Sequence, residues 1–209
     1  WWVQYSLQRY NRRDEDNFPG TGGELARHLL DRFGLRDVAV ETTDQGDHYD
    51  PASRAVRLTP DKHSRKTLTA ITVAAHEVGH ALQHAAGEPL FAWRTRLAKA
   101  AMVAQQVGSL LLFVAPVLVL ITRVPSPGLI SALAAFLIMG MGVVVQLVTL
   151  PVELDASFRK ALPVLSTGYL TEDQMPGARR ILRAAAFTYV AASLGSLLNF
   201  WRWLQVLRR

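Results

Sequence analysis

The sequence predicts an α+β membrane protein, mainly α, with a small β-hairpin or sheet and two or three transmembrane helices. Three observations predict it. Half of the 209 residues are hydrophobic and the mean hydropathy is +0.13, averages that look globular, but the distribution does not. The apolar residues concentrate late: no Asp or Glu occurs between Glu88 and Glu153. The polar part before them carries turn signals, short alternating runs and a helix with ionisable groups. There are no cysteines, which excludes a disulfide scaffold and any Cys-ligated metal site. The apolar content excludes disorder. Lys and Arg number 23 against 17 Asp and Glu, a formal charge of +6. Such a balance suits nucleic acid or a membrane surface. The long apolar segments and the lack of any nucleic-acid-binding motif select the membrane.

The organisation reads in five parts: 1–13, 14–101, 102–150, 151–183 and 184–209. The chain starts Trp1-Trp2 with neither an initiator Met nor a signal-peptide pattern, so an upstream piece is expected to precede it. Residues 1–13 read as the interfacial tail of an upstream membrane helix or as a free amphipathic surface helix. Thr21-Gly22-Gly23-Glu24 is a capping box, opening a helix with Leu25, Leu29, Leu30 and Phe33 as its buried stripe. Gly34 is the expected stop. Val38, Val40 and Thr42 alternate as a strand. A β-hairpin is expected to turn near Pro51 to Ser53, with Arg54 to Thr59 as an exposed edge able to take up an extended peptide by strand addition. A helix capped by Ser64 or Thr67 should run from about Leu68 to Ala86. Leu68, Ile71, Thr72, Ala75, Val78, Gly79 and Leu82 form its apolar face, and Gly87 and Pro89 end it.

Segments 102–122 and 129–150 are uncharged until their ends and meet the length of a bilayer crossing. With Arg123 to Gly128 as a tight turn they read as a transmembrane hairpin. Pro116 should kink the first helix mildly, and Gly140 and Gly142 should permit close approach in the second. Segment 184–204 is less pure. It either spans or packs along the polar part, and Trp201 and Trp203 suit a membrane interface.

The chemistry concentrates in Ala74-Ala75-His76-Glu77-Val78-Gly79-His80-Ala81-Leu82-Gln83-His84. His76-Glu77-x-x-His80 is the H-E-x-x-H zinc pattern. Residues i and i+4 share a helix face, so two imidazoles can converge on one ion, with Glu77 placed to polarise water. A catalytic zinc needs a third protein ligand. His84 lies roughly 12 Å along the axis from His76, too far to share the ion. Glu153 is the better candidate. It ends a 64-residue stretch without acids, and two crossings return the chain to the face that holds His76 and His80. Asp155 is the alternative ligand, or a partner of a zinc-bound imidazole. His48 and Tyr49 either face the metal and stabilise an oxyanion or form a turn-stabilising surface pair.

These segments resemble the neutral zinc metallopeptidases of bacterial membranes (YugP-like), which carry HEVGHAxQH, DHYDP, LPVEFDAS and TYVAA segments in that order. The matching residues here are His76 to His84, Asp47 to Pro51, Leu150 to Ser157 and Thr188 to Ala192. Leu154 departs from the family's Phe, and the family's upstream membrane helix is represented only by residues 1–13. The run Glu153-Leu154-Asp155-Ala156-Ser157 is also similar to the E-x-x-A-D segment of HtpX-type membrane peptidases. That similarity implies Glu153 as ligand, with Ser157 replacing the Asp that would orient a histidine.

The resulting expectation is a zincin-like, gluzincin-type membrane endopeptidase. One Zn²⁺ per chain is held by His76, His80 and Glu153, and Glu77 is general base toward a zinc-activated water. Asp155, Ser157, His48, Tyr49 and His84 are the secondary candidates. The substrate is polypeptide, unfolded or membrane-associated, and complex partners and the lipid bilayer are the other contacts expected. Fourteen Lys and Arg precede the first span and five lie between Arg159 and Arg183, against Arg123 alone at the hairpin tip. That bias places a multi-pass protein in the bacterial inner membrane with its active site facing the cytoplasm. Arg202, Arg208 and Arg209 oppose the bias if the last helix crosses. The alternative is a non-catalytic zinc-binding scaffold or complex subunit. A transporter is disfavoured by the absence of charge inside the first two spans.

Overall fold

The computed structural model describes Tyr10, residues 18–123 and residues 126–207. Apart from Tyr10, the expected N-terminal interfacial segment lies outside the described residues. So do the side chains of Pro116, Trp201 and Trp203. The described elements run α1 (Gly22–Arg32), β1 (Ala39–Thr42), β2 (His48–Asp50), β3 (Ala55–Leu58), α2 (Pro60–Ser64) and α3 (Leu68–Ala85). Then follow α4 (Pro89–Thr122), α5 (Ser126–Leu154), a π-helical segment (Asp155–Ala161), α6 (Leu162–Ser166) and α7 (Met175–Leu207). The chain divides into two compact units, one of residues 1–91 and 151–188, the other of residues 92–150 and 189–209.

The first unit forms around α3. Thr21 caps α1 as the sequence requires: its hydroxyl accepts from the Glu24 amide at 3.2 Å, and the Glu24 carboxylate accepts from the Thr21 amide at 2.8 Å. Leu25, Leu29 and Leu30 turn inward. Phe33 does not. It sits at the C-cap and is 39% exposed, because the helix has already stopped and Gly34 takes the chain away at φ +75°. Gly22 marks the tightest contact of α1. A methyl there would collide with the Lys62 carbonyl and lie 2.9 Å from the Ala70 carbonyl.

The hairpin forms as expected, β2 pairing antiparallel with β3 and Tyr49 opposite Val56. The expected exposed edge at Arg54 to Thr59 is wrong. β3 is the central strand of the order β1-β3-β2, since β1 pairs with it in parallel from Ala39↔Ala55 to Thr42↔Leu58. Its backbone groups are taken on both sides, so among the described residues the sheet edges are β1 and β2. The physical reason is burial. Ala55, Val56 and Leu58 are all buried, and a strand packed this deeply needs partners for its backbone.

Thr67, not Ser64, caps α3, its hydroxyl accepting from the Ala70 amide at 3.0 Å. The expected one-sided apolar face is too narrow a description. Most of the helix is buried on all sides, His76, Glu77, His80 and Gln83 included, while Leu82 is only half-buried. A helix surrounded in this way is the core of its unit, and its polar residues must find partners inside.

In the second unit, α4 is 34 residues and α5 29 residues long, each longer than the roughly 30 Å of a hydrocarbon core. The turn between them is shorter than expected, because Ser126, Pro127 and Gly128 already belong to α5. Close approach occurs at Gly108, where a methyl would strike the Ile138 side chain. Gly142 meets nothing within 4 Å among the described residues, so its expected role is not seen there. Among the described residues one helical run, Gly140–Ser166, is long and apolar enough to cross a membrane, with a mean hydropathy of 1.4.

Replacing Gly22 by Ala should push α1 off the start of α3 and lower stability by about 1–3 kcal/mol. A fall in the thermal midpoint of the purified protein measures this, and an unchanged midpoint contradicts the packing described.

Candidate metal centre

His76 and His80 stand one turn apart on α3, with ring centroids 4.7 Å apart. Glu153, at the end of α5, points its carboxylate at both. Oε2 lies 3.2 Å from His76 Nε2 and 3.3 Å from His80 Nε2. The three side chains are buried, and among the described residues theirs is the one such cluster with metal-ligating atoms all within 4.8 Å. The donor set fits a zinc ion. Ligand atoms about 2.0–2.2 Å from a common tetrahedral centre lie roughly 3.3–3.6 Å from one another. The chemistry fits as well, because a carboxylate at 2% exposure is costly unless positive charge balances it.

Backbone packing brings Glu153 this close. The π-helical segment after α5 lies against α3 at Gly79, where a methyl would sit 2.9 Å from the Ala156 carbonyl oxygen. Glycine at this position lets two backbones meet. The π-helix places Ser157 beside the first imidazole, its Oγ 3.1 Å from His76 Nδ1. Single π-helical turns of this kind gather at functional sites.

The second imidazole has its own partner. His80 Nδ1 lies 2.9 Å from Gln83 Oε1. The Gln83 amide nitrogen donates to the Val152 carbonyl and to Asp155 Oδ2, each at 2.9 Å. Asp155 is also paired with Lys160, whose ammonium reaches Glu88 at 2.6 Å. Asp155 therefore stands behind His80, outside the three-residue cluster.

The remaining candidates spread outward. Tyr49 hydroxyl and His84 Nδ1 are 2.8 Å apart, and Phe91 stacks on His84 at 5.6 Å and lies 6.1 Å from His80. Burial raises the Tyr49 phenol above its ordinary range, with Asp37 and Asp50 adding to the rise and Arg54 opposing it. The phenol therefore stays neutral at physiological pH. His48 turns its Nδ1 to the Gly46 carbonyl at 2.8 Å, the arrangement of a turn-stabilising residue. Asp47 accepts from the Thr59 amide and hydroxyl at 2.7 and 2.9 Å, so the Asp47 to Pro51 segment braces the hairpin. Glu77 is buried at 6% exposure and lies about 100° around the helix from His76.

Sequence reasoning missed Gln83, Lys160 and Phe91. Gln83 was within reach: it lies three residues after His80, hence on the same helix face. Nothing local marks Lys160 or Phe91.

A family model described as "Putative neutral zinc metallopeptidase" matches residues 1–208. The chain is 36% identical over 212 residues to a protein of Bacillus subtilis (strain 168) described as "Putative membrane protease YugP". The match covers 98% of this chain and 90% of that relative. No solved structure matches the chain.

Gly79→Ala should force α3 and the π-helical segment apart and move Glu153 from the imidazoles. The expected outcome is a stability loss of about 1–3 kcal/mol together with faster loss of bound zinc to a chelator. Zinc release at the unmodified rate contradicts this placement of the glycine.

Proposed function

The chain belongs to the neutral zinc metallopeptidase family, and from that premise we propose that it is an integral-membrane endopeptidase whose Zn²⁺ is held by His76, His80 and Glu153. The observation that carries the reading is the convergence of two imidazole nitrogens on one buried carboxylate oxygen, at 3.2 and 3.3 Å. Zinc bound there supplies Lewis-acid polarisation of the scissile carbonyl and lowers the pKa of water toward neutrality. The protein's own groups do the rest. Ser157 and Gln83 hold the two imidazoles from behind. Glu77 takes the proton of the attacking water and returns it to the leaving amine nitrogen. The polypeptide substrate is exposed or unfolded chain near the membrane, and a free sheet edge at β2 suits its extended backbone.

Membrane embedding is supported by what α4 and α5 display. Met102, Val103, Leu110, Leu120, Ile121, Leu133 and Leu137 are all more than half exposed. Side chains of this kind in an acid-free stretch match lipid better than water. The Lys and Arg bias supports a cytoplasmic active site, with the lone Arg123 of the hairpin turn on the less basic side of the membrane. A single cysteine reports on this cleanly, because the chain has no cysteine of its own. Arg123→Cys should react with an impermeant maleimide on intact cells, and Ser53→Cys only after permeabilisation. The reverse pattern would turn the protein over, and labelling of both on intact cells would remove the hairpin.

Purified protein should contain one zinc per chain and cleave casein. Glu77→Gln should keep the zinc and lose roughly 10²–10⁴-fold in turnover, and Glu153→Ala should lose the zinc. Equal cleavage by Glu77→Gln removes Glu77 from the mechanism, and zinc without cleavage of any protein substrate favours a scaffold.

A further inference from the structure

The orientation of the Gln83 amide is dictated by what it faces. Gln83 is 1% exposed, and its amide nitrogen meets the Val152 carbonyl and Asp155 Oδ2, each at 2.9 Å. A backbone carbonyl and a lysine-paired carboxylate have no proton to give, so the NH₂ end must face them. Flipping the amide would lose both bonds and set oxygen against oxygen inside the core. The amide oxygen is therefore left toward His80 Nδ1, at 2.9 Å. An amide oxygen only accepts, so Nδ1 must carry the hydrogen. In the neutral imidazole, the form that can bind a metal, the lone pair of His80 then lies on Nε2, the nitrogen 3.3 Å from Glu153 Oε2.

His76 is held differently. Its Nδ1 faces the Ser157 hydroxyl at 3.1 Å, and a hydroxyl donates or accepts as required. That contact is compatible with either tautomer. The Ser157 contact thus does not choose a tautomer for His76, whereas that of His80 is chosen through a chain from Gln83 to Asp155, Lys160 and Glu88.

We infer that Gln83 is a positioning residue that fixes His80 as the Nδ1–H tautomer and so presents its Nε2 lone pair to the metal. The inference rests on the zinc-peptidase reading above. Outer partners of metal-bound histidines act in this way, and their loss commonly costs 10–100-fold in metal affinity.

Zinc affinity, measured by chelator competition on the full chain in detergent, separates this role from a merely structural one. Gln83→Met removes both the acceptor and the donors. Gln83→Glu keeps an acceptor toward His80 but gives up the donors to Val152 and Asp155, and sets a second carboxylate against the first. A structural tether predicts that Glu is as damaging as Met, or worse. The positioning role predicts the opposite order, with Met weakening zinc binding about 10–100-fold and Glu staying within a few-fold of the unmodified protein. Equal loss in the two variants overturns the inference. A second measurement needs no variant. In zinc-loaded protein carrying ¹⁵N-histidine, the His80 Nδ1–H proton should be visible and slow to exchange with solvent, and its absence also overturns the inference. Failure of the unmodified protein to bind zinc at all overturns instead the reading on which this one rests.

Discussion

The Glu153 carboxylate is almost wholly removed from water and faces two imidazole nitrogens. Most of the first unit is arranged around that demand. A carboxylate so buried is costly unless positive charge lies beside it. A divalent cation meets the requirement with the same three atoms. The surrounding hydrogen bonds then follow, since each imidazole can turn a nitrogen toward the ion only if its other nitrogen is satisfied. Ser157 does this for His76 and Gln83 for His80.

Backbone geometry is as important as side-chain chemistry here. Pro151 sits inside the last turn of α5 and the π-helix begins at Asp155, so Glu153 occupies a stretch where the helix leaves regular α geometry. The π-helix delivers Ser157 to the rear of His76 and brings the Ala156 carbonyl against Gly79. A straight α-helix with a side chain at position 79 would hold the two backbones further apart. The three-residue cluster is thus assembled from one regular helix and one irregular one, and the irregular one does the aligning.

The conspicuous sequence segments divide by the work they do. His76 to His80 carries the cluster, while Asp47 to Pro51 is mostly a brace. Asp47 ties the hairpin to Thr59 and Lys62. Asp50 accepts from Ser53, Ala52 and Arg57, and these bonds, led by the one from Ser53, hold its carboxyl below the usual range. Tyr49 reaches α3 through His84. A motif that looks catalytic by composition can therefore serve to hold a strand in place.

What the sequence determined by itself is local. The capping box at Thr21, the stop at Gly34, the antiparallel hairpin and the pairing of His76 with His80 all depend on residues within a few positions of one another. Their geometry follows from helical and strand periods alone. Glu153 also stood out as the first acid after a long acid-free stretch, with Asp155 as its alternative, and it is the one that lies beside both imidazoles. The tertiary structure decided what depends on distant backbones meeting. It put β3 at the centre of the sheet, left Phe33 exposed and buried nearly every side of α3. It also chose Gln83 over Asp155 as the neighbour of His80. The reason is physical: periodicity tells which residues share a face, but which face meets which neighbour is settled by burial and by the pairing of buried polar groups across the chain.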